Sequence, residues 1–344
     1  MGTARRRTIW WDDAGAVLVI DQRRLPHADE AARWTSVDDA VRGIAAMQVR
    51  GAPLIGVAAA HGIALAMIAD DSDRSLLTAG AALCATRPTA VNLQWAVQRM
   101  TDALRPLAPA DRASAARRLA TELADEDAAM CRAIGAVGLR LFEAMHERTG
   151  RPVQVLTHCN AGWLACVEWG TATAPVYLAH ERGLPLHVWV SETRPRNQGA
   201  SLTAWELGDA GVPHTLVVDN AAAHLMATGA VDCVVVGADR VAENGDVANK
   251  IGTCLKAYAA AVHGVPFHVA VPWSSVDWSC PDGSAIPIEE RSPDEVLQIA
   301  GHRLAPETTP ARNWGFDVTP ARYVTSFLTP DGAVTPPELA TWRP

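Results

Sequence analysis

The chain is poor in lysine. Only Lys250 and Lys256 are lysines among its 30 basic residues, and all the others are arginines. Acidic residues outnumber basic ones and give a formal net charge of −8. This balance argues against a nucleic-acid-binding surface and against a patch that attracts anionic lipids. We therefore expect neither nucleic acid nor a membrane among the partners of this protein.

Cysteine is present without a metal-binding pattern. The seven cysteines are scattered, with no CxxC pair and no cysteine–histidine spacing typical of a metal site. We expect reduced thiols of a cytosolic enzyme, most of them inert core residues. The sequence also lacks a GxGxxG motif, so nothing supports a dinucleotide site.

Long apolar runs are missing as well. Residues 51–70 come closest to a membrane span, but Arg50, His61 and Asp70 lie in or beside that run, which is typical of a packed helix. The amino terminus has arginines without an apolar signal core after them, so we expect no export and a cytoplasmic location.

The length of 344 residues predicts roughly two domains. Residues 1–130 are expected to form a mainly helical domain with a small β element, a hairpin over residues 8–20. Ser36 and Asp39 resemble a capping box, and Pro53 favours the first turn of a second helix. Further helices are predicted over residues 89–104 and 112–145.

The pattern changes at residue 151, where short β-rich runs begin to alternate with helical stretches. This alternation predicts an α/β fold, with a Rossmann-like, mostly parallel sheet within residues 131–344. Polar residues follow each run, and the carboxyl ends of parallel strands share one edge, so we place the active site there. The predicted strands are residues 153–156, 186–190, 215–218, 233–236 and 267–271.

The segment 237–253 is the most informative part of this pattern. A buried strand delivers Asp239 and Arg240 to its carboxyl end, and Asn249 and Lys250 follow where the next helix is expected to start. Asp239 is either a general acid/base or a hydrogen-bond anchor, unless it merely pairs with an arginine. A lysine beside a carboxylate indicates function in a chain so rich in arginine, whereas a surface position fits Lys256 better than Lys250.

Cys159 follows another predicted strand and precedes an expected helix. A helix amino terminus lowers the pKa of a thiol, which favours a reactive cysteine over a small apolar core residue. His158 is expected to point to the opposite face of the strand, so cysteine–histidine acyl transfer is weakly supported. Trp163 either walls the substrate pocket or is a core tryptophan.

Basic turns recur in this acidic chain, and together they suggest a phosphorylated substrate. Glycine or a helix start in such a turn brings backbone N–H groups to an anion, although each turn alone is more often solvated surface. The turns are Arg50-Gly51-Ala52-Pro53, Arg87-Pro88-Thr89 and Arg194 to Gly199.

Eight stretches, in order along nearly the whole chain, resemble the methylthioribose-1-phosphate isomerases of methionine salvage. This family belongs to a larger group with ribose-1,5-bisphosphate isomerases and regulatory subunits of a translation-initiation exchange factor. The stretches are LVIDQRRLP, VRGAPLIG, TRPTAVNLQWA, LTHCNAG, VSETRPRNQGASLTAWEL, VVVGADRVAENGDVANKIGT, IPIEERSPDEV and FDVTPARYVTSFLTP.

The resemblance implies an aldose–ketose isomerase that acts as a homodimer without a metal or organic cofactor. It implies that Cys159 and Asp239 are the catalytic pair. The substrate phosphate is then bound by Arg50, Gly51, Ala52, Arg87, Gln198, Asn249 and Lys250. Departures at Trp163, Cys166, Asn197, residues 272–278 and residues 313–320 bear on the group accepted at C5. An isomerase of 5-deoxyribose 1-phosphate or ribose 1,5-bisphosphate, or a non-catalytic regulatory subunit, remain the alternatives.

Overall fold

The computed structural model describes residues 6–87 and 90–342. Its helices are α1 Val37–Ala45, α2 Ala52–Ala69, α3 Asp73–Thr86, α4 Val91–Leu104, α5 Pro109–Thr149, α6 Ala174–Glu181, α7 Ala204–Asp209, α8 Ala221–Ala227, α9 Thr253–His263, α10 Asp294–Leu297 and α11 Pro336–Leu339. Its strands are β1 Ile9–Trp11, β2 Val17–Ile20, β3 Ala31–Trp34, β4 Val153–His158, β5 Leu186–Ser191, β6 His214–Val217, β7 Cys233–Val236, β8 Arg240–Ala242, β9 Val247–Lys250, β10 Phe267–Ala270, β11 Val276–Asp277, β12 Gln298–Ile299, β13 His302–Arg303, β14 Phe316–Thr319, β15 Ser326–Thr329 and β16 Gly332–Val334.

The amino-terminal part is mainly helical, as predicted. The expected hairpin is present as β1 and β2, and β3 adds a third antiparallel strand that the sequence pattern did not predict. Ser36 and Asp39 form the expected capping box of α1. The helix predicted to start at Thr89 is described from Val91 onwards, and the Pro88–Thr89 turn lies outside the described residues.

Helix α2 is the centre of this part. It is long and apolar enough to cross a membrane, but 83% of it is buried inside the protein. It packs against α1, α3, α4 and α5. Since no face of α2 is left for solvent over most of its length, its sequence is apolar all round.

Helix α5 joins the two halves of the molecule. Its first half contributes Ala116 and Leu123 to the core built around α2, and its second half contributes Ile134 and Phe142 to a core against the large sheet. The domain division predicted at residues 130 and 131 stays a prediction, and it falls where α5 passes from one core to the other.

The large sheet has seven strands in the order β16-β15-β10-β7-β4-β5-β6. All pairs are parallel except the edge pair of β15 and β16. This mostly parallel sheet confirms the predicted α/β class. From the central strand β4 the chain runs outward through β5 and β6, then returns to build β7, β10 and β15 on the other side. The strand order therefore reverses between β4 and β7, where ligands bind in open α/β sheets.

A second, four-stranded sheet with the order β11-β8-β9-β14 extends from the end of β7. The sequence did not predict it. Asn249 and Lys250 were expected at a helix start, but they are the last residues of β9, opposite Asp317 and Phe316 of β14. Residues 240–250 form a short antiparallel hairpin of β8 and β9, and α9 begins only at Thr253.

Candidate active site

One cavity lies at the carboxyl ends of β4 and β7, where the strand order reverses. It is lined by every site residue that the sequence analysis named: Arg50, Gly51, Ala52, Arg87, Cys159, Gln198, Asp239, Asn249 and Lys250. These residues come from the helical part, the large sheet and the second sheet. The fold thus brings together side chains that are nearly 200 positions apart in the chain.

Cys159 is the first residue after β4 and has a φ of 61°, an uncommon backbone for a residue other than glycine. Its side chain is nearly buried, and its Sγ donates to Gln198 Oε1 at 3.2 Å. The expected helix after Cys159 is absent: a short 3₁₀ turn, Trp163–Ala165, follows, and α6 begins at Ala174. The argument from a helix amino terminus was therefore wrong, although the thiol does face the cavity.

His158 also lines the cavity, but its ring is held elsewhere. Its Nε2 donates to the carbonyl oxygen of Ile251 at 2.9 Å. Burial, assisted by the positive charge of Lys256, lowers the pKa of His158 well below its usual value. Because the hydrogen-bond partner of the Cys159 thiol is Gln198, the geometry gives no support to a cysteine–histidine nucleophile.

Asp239 lies between β7 and β8, with its backbone N–H bound to the carbonyl oxygen of Ala248 at 3.0 Å. Burial raises the pKa of its carboxyl group, while the charges of Lys250, Arg50 and Arg87 act in the opposite direction. Its carboxylate oxygens receive no hydrogen bond from the residues that the structure describes. Such a carboxyl group is free to exchange a proton with a ligand.

Lys250 projects from the end of β9 into the same space. Its Nζ donates to the carbonyl oxygen of Gly315 at 3.0 Å and lies 4.4 Å from the centre of the Phe316 ring. Burial lowers the pKa of Lys250 below its usual value, against the opposing effect of the Asp239 carboxylate. The neighbouring Asn249 donates to Thr253 Oγ1 at 3.0 Å.

Two arginines complete the positive side of the cavity. Arg50 donates to the side-chain and backbone oxygens of Asn160 at 2.5 and 2.6 Å. Arg87 forms an ion pair with Glu289 at 3.2 Å, yet its buried Nε has no hydrogen-bond partner among the described residues. A buried donor without a partner is costly, and an anionic ligand in the cavity satisfies it.

The start of α2 adds backbone donors. Gly51 has a φ of 94° and precedes the helix, and no side chain caps the first turn. A Cβ at position 51 would lie 2.6 Å from the Ala165 backbone, so glycine allows this close approach. Ala52, the first residue of α2, lines the cavity, and an uncapped helix amino terminus is a favourable place for a phosphate.

Several expectations about neighbouring residues were wrong. Arg240 pairs with Asp277 at 3.4 Å instead of facing the main cavity. Arg194 donates to backbone carbonyls of residues 295, 296 and 298, so the third basic turn contributes only Gln198 to the main cavity. Lys256, assigned to the surface, is 3% exposed, and burial lowers its pKa to about 8. Of the two alternatives for Trp163, the structure supports the core tryptophan, which packs against Trp205 and does not line the cavity.

Several residues that shape the site were not singled out from the sequence. Met47, which has a φ of 59°, lines both the main cavity and a wider outer cavity that also includes Arg50 and Gln198. Asn160 and Glu206 hold the backbone that follows Cys159. These roles depend on contacts between distant segments, so residue spacing cannot reveal them.

A cluster of potential metal ligands lies beside the cavity. The side-chain ligand atoms of Asp127, Cys131 and Cys166 are within 4.8 Å of one another, and all three residues are buried. Hydrogen bonding to Cys166 and burial raise the pKa of Cys131 well above its usual value. Asp127 accepts the N–H of Val167 at 2.7 Å. A metal ion would have to displace thiol protons here, so we interpret the cluster as core packing.

The cavity combines three cations, the Asp239 carboxyl group, a thiol and three amides, most of them shielded from bulk water. This set can bind a phosphate through charge-assisted hydrogen bonds. It can also transfer protons through two groups in different environments. The arrangement suits acid–base chemistry on a small phosphorylated molecule.

Known proteins resemble the chain over most of its length. A methylthioribose-1-phosphate isomerase of Rhodospirillum centenum is 55% identical over 95% of this chain and 90% of its own. The solved 5-methylthioribose 1-phosphate isomerase from Pyrococcus horikoshii is 40% identical with a TM-score of 0.87, covering 97% of this chain and 94% of its own. The translation initiation factor eIF-2B delta subunit from A. fulgidus is 38% identical with a TM-score of 0.83, covering 97% of each chain.

The match to a family model is equally extensive. The model of the initiation factor 2 subunit family covers residues 48–336, which include both catalytic candidates and every predicted phosphate contact. Together with the near full-length relatives, this match assigns the family. The chain belongs to the initiation factor 2 subunit family, within which it is similar to methylthioribose-1-phosphate isomerases.

Proposed function

We propose that this protein is an aldose–ketose isomerase that converts 5-methylthio-D-ribose 1-phosphate into 5-methylthio-D-ribulose 1-phosphate in methionine salvage. The observation that carries the proposal is the convergence of Cys159, Asp239 and the predicted phosphate contacts on one cavity. The relatives that are 52–55% identical and named for this activity support the choice of substrate.

The reaction poses a specific difficulty, because phosphate on the anomeric oxygen prevents simple opening to a free aldehyde. One enzyme group must give a proton to the ring oxygen as its bond to C1 breaks. A hydrogen must then move from C2 to C1, and the 2-hydroxyl proton must leave. We assign the proton donor and acceptor roles to Cys159 and Asp239. Because burial raises the pKa of Asp239, this group holds a proton at higher pH than a free aspartate does.

We assign the phosphate to Arg50, Arg87, Lys250, Gln198, Asn249 and the backbone of Gly51 and Ala52. The Nε of Arg87, which has no hydrogen-bond partner among the described residues, and the uncapped start of α2 support this placement. Holding the phosphate by several contacts keeps it attached while the ring opens, and it directs C1 and C2 towards the acid–base pair.

The outer cavity favours an apolar group at C5. Its basic residues are already engaged, Arg23 with Asp21, Arg196 with Glu295, and Arg194 with backbone carbonyls. Met47 lies where the outer and inner cavities meet. Arg23 and Arg196 are neutralised by carboxylates, which supports a thioether or methyl group at C5 over a second phosphate.

The test measures the turnover of a panel of sugar phosphates in the presence of a chelator, with NMR as the readout. We expect isomerisation of 5-methylthioribose 1-phosphate, with slower turnover of 5-deoxyribose 1-phosphate and least of ribose 1,5-bisphosphate. If the enzyme prefers ribose 1,5-bisphosphate, that compound is the substrate and the proposed one is wrong. Thermal stabilisation without turnover of any sugar would favour a regulatory subunit, the alternative suggested by the similarity to the A. fulgidus protein.

We further propose a cytoplasmic homodimer with a Rossmann-like unit from residue 131 onwards. The reversal of strand order beside β4 supports the Rossmann-like description. The outward face of α9 supports the dimer, because Leu255, Tyr258 and Val262 are exposed at helical spacing. An apolar helix face open to water is typical of a surface that another subunit covers.

A further inference from the structure

Glu206 is a fully buried carboxyl group on α7 that no step of the proposed reaction uses. Its Oε1 accepts from Asn160 Nδ2 at 2.6 Å and from the N–H of Leu164 at 3.2 Å. Its Oε2 accepts from the N–H of Trp163 and the hydroxyl of Tyr177, both at 3.0 Å. Four donors, none of them a cation, converge on one carboxylate away from solvent. Burying a carboxylate without a cationic partner costs free energy, so a structural or functional reason for this carboxylate is expected.

Three of these donors belong to the Cys159 turn, by which we mean residues 159–164. The backbone of this turn runs directly against the carboxylate, since a Cβ on Gly162 would lie 1.8 Å from Glu206 Oε2. The turn starts with Cys159 in the left-handed backbone region. Such a conformation costs about 1–3 kcal/mol and persists only where the surroundings impose it.

The segment that carries Glu206 holds the turn at two further points. Thr203 Oγ1 donates to the carbonyl oxygen of Cys159 at 2.5 Å, and Gln198 Oε1 accepts from the Cys159 thiol at 3.2 Å. Gln198 precedes a π-helical turn, Gly199–Thr203, which ends at Thr203 and leads into α7. Irregular turns of this kind often occur at functional sites.

Glu206 also reaches the phosphate side of the cavity through one intermediate. Asn160 gives its amide N–H to Glu206 and uses its two oxygens to accept both guanidinium nitrogens of Arg50. The amide cannot rotate without breaking contacts at both ends. The direction in which Arg50 faces the cavity is therefore fixed by the carboxylate behind Asn160.

We propose that Glu206 is a positioning residue that holds the Cys159 turn in its strained conformation and, through Asn160, orients Arg50. The proposal rests on the proposed function for its kinetic consequences, but the positioning itself is a property of the free protein. Burial raises the pKa of Glu206 to about 7, against the effect of the hydrogen bonds from Asn160, Tyr177 and Leu164 and of the Arg50 charge. The site thus retains a carboxyl group that is costly to ionise.

The test compares Glu206→Gln with the wild type. Glutamine keeps the acceptor for Asn160 but turns an NH₂ group towards the N–H of Trp163, so one buried donor loses its partner. We expect kcat to fall tenfold or more and KM to rise at least threefold in the folded protein. Asp127→Asn is the matched control. It alters another buried carboxyl group that binds the same loop, at Val167, without touching Asn160, and should leave both constants within threefold.

A second readout needs no substrate. The rate at which iodoacetamide alkylates Cys159, measured by mass spectrometry relative to the half-exposed Cys84, should change at least threefold in Glu206→Gln. If the wild type isomerises no sugar phosphate, the proposed function fails, and the alkylation ratio alone decides the role of Glu206. If Glu206→Gln does not fold, Tyr177→Phe is used in its place. This variant removes one donor outside the turn and should shift KM and the alkylation rate in the direction expected for Glu206→Gln.

The proposal is overturned if the foldable variants lose only thermal stability. In that case kcat, KM and the alkylation ratio of the folded fraction stay within threefold of the wild type, and Glu206 is a packing residue of the core.

Discussion

At the scale of single residues, the site balances one carboxyl group against three cations. Asp239 lies among Lys250, Arg50 and Arg87, whose charges lower its pKa, while burial raises it. Each cation is held by another group: Lys250 by the Gly315 carbonyl oxygen, Arg50 by Asn160 and Arg87 by Glu289. The cations are therefore oriented before substrate binds, which reduces the entropy lost on binding.

Lys250→Ala should weaken the phosphate site. The loss of one charge-assisted contact should reduce kcat/KM by about 1.5–3 kcal/mol, mainly through KM. Since Lys250 lowers the pKa of Asp239, the variant should also move the Asp239 midpoint of the pH–rate profile to higher pH. Steady-state kinetics across the pH range measures both effects.

Arg312→Ala is the control for this prediction. Arg312 also stacks on an aromatic ring, that of Trp314 at 4.8 Å, but its side chain is 64% exposed and lies away from the cavity. If Lys250→Ala changes kcat/KM no more than Arg312→Ala does, Lys250 has no part in binding.

The residues of the site were predictable from the sequence to the extent that they follow strands or belong to the family stretches. Asp239 and Cys159 come directly after buried runs, so their place at the sheet edge follows from the pattern. Asn160 and Glu206 lie in two of the family stretches, but their contact could not be found in this way, because the sequence does not show that the two side chains meet or that Glu206 is buried. Lys256 was wrongly placed at the surface for the same reason, because its neighbours in the sequence do not show that the fold buries it.

At the scale of elements, the parallel strands were predictable and the second sheet was not. Strand β7 is a continuous apolar run, and β4, β5 and β10 are mostly apolar, which is typical of strands covered on both faces. Strands β8, β9 and β14 have three or four residues each and mix apolar with polar residues, and β9 pairs with β14 across a long sequence separation. Such long-range pairing has no local signal, so Asn249 and Lys250 were wrongly assigned to a helix start.

The loop after β4 is tied to α5 by a second buried carboxyl group, Asp127. Burial raises its pKa to about 7, whereas aspartate in an unfolded chain titrates near about 3.9. Between these values the folded state keeps a proton that the unfolded state has lost. Asp127 therefore adds stability fully below about pH 4, and this contribution is lost as the pH rises through 7.

Asp127→Asn should remove this pH dependence while retaining an acceptor for the N–H of Val167. The melting temperature of the variant minus that of the wild type should therefore increase from pH 4 to pH 8. Scanning fluorimetry over that range measures the difference. A difference that stays constant, or that favours the wild type at pH 8, would show that Asp127 is not buried in its neutral form.

At the scale of the whole molecule, the proposed dimer makes a direct prediction. A homodimer has a mass of twice 36.6 kDa, or about 73 kDa. Leu255 and Val262 on the outward face of α9 are 64% and 78% exposed. Replacing both by glutamate should yield a folded monomer, because a buried interface does not tolerate unpaired charges.

Light scattering after size exclusion measures this mass at micromolar protein. Leu304→Glu, at a residue that is 60% exposed and far along the chain, is the control and should leave the mass unchanged. A wild-type mass of 36.6 kDa would contradict the dimer. An unchanged mass of the double variant would place the interface elsewhere.

The central claim is that Cys159 and Asp239 perform the chemistry, whereas the cations bind the phosphate. Cys159→Ser preserves size but raises the pKa of the side chain far above that of a thiol, and Asp239→Asn preserves shape but removes the carboxyl group. Each positioned acid or base contributes roughly 10²–10⁴-fold to the rate. Because the two act together, the double variant should lose far less than the product of the single losses.

The most direct measurement is turnover of 5-methylthioribose 1-phosphate, compared with thermal stabilisation by the same ligand in the same samples of the wild type and the two single variants. We predict a fall in kcat of at least roughly 10²-fold in each variant, with ligand-induced stabilisation close to that of the wild type. Near-native kcat in either variant would contradict the account, because that residue would then serve the structure and not the chemistry.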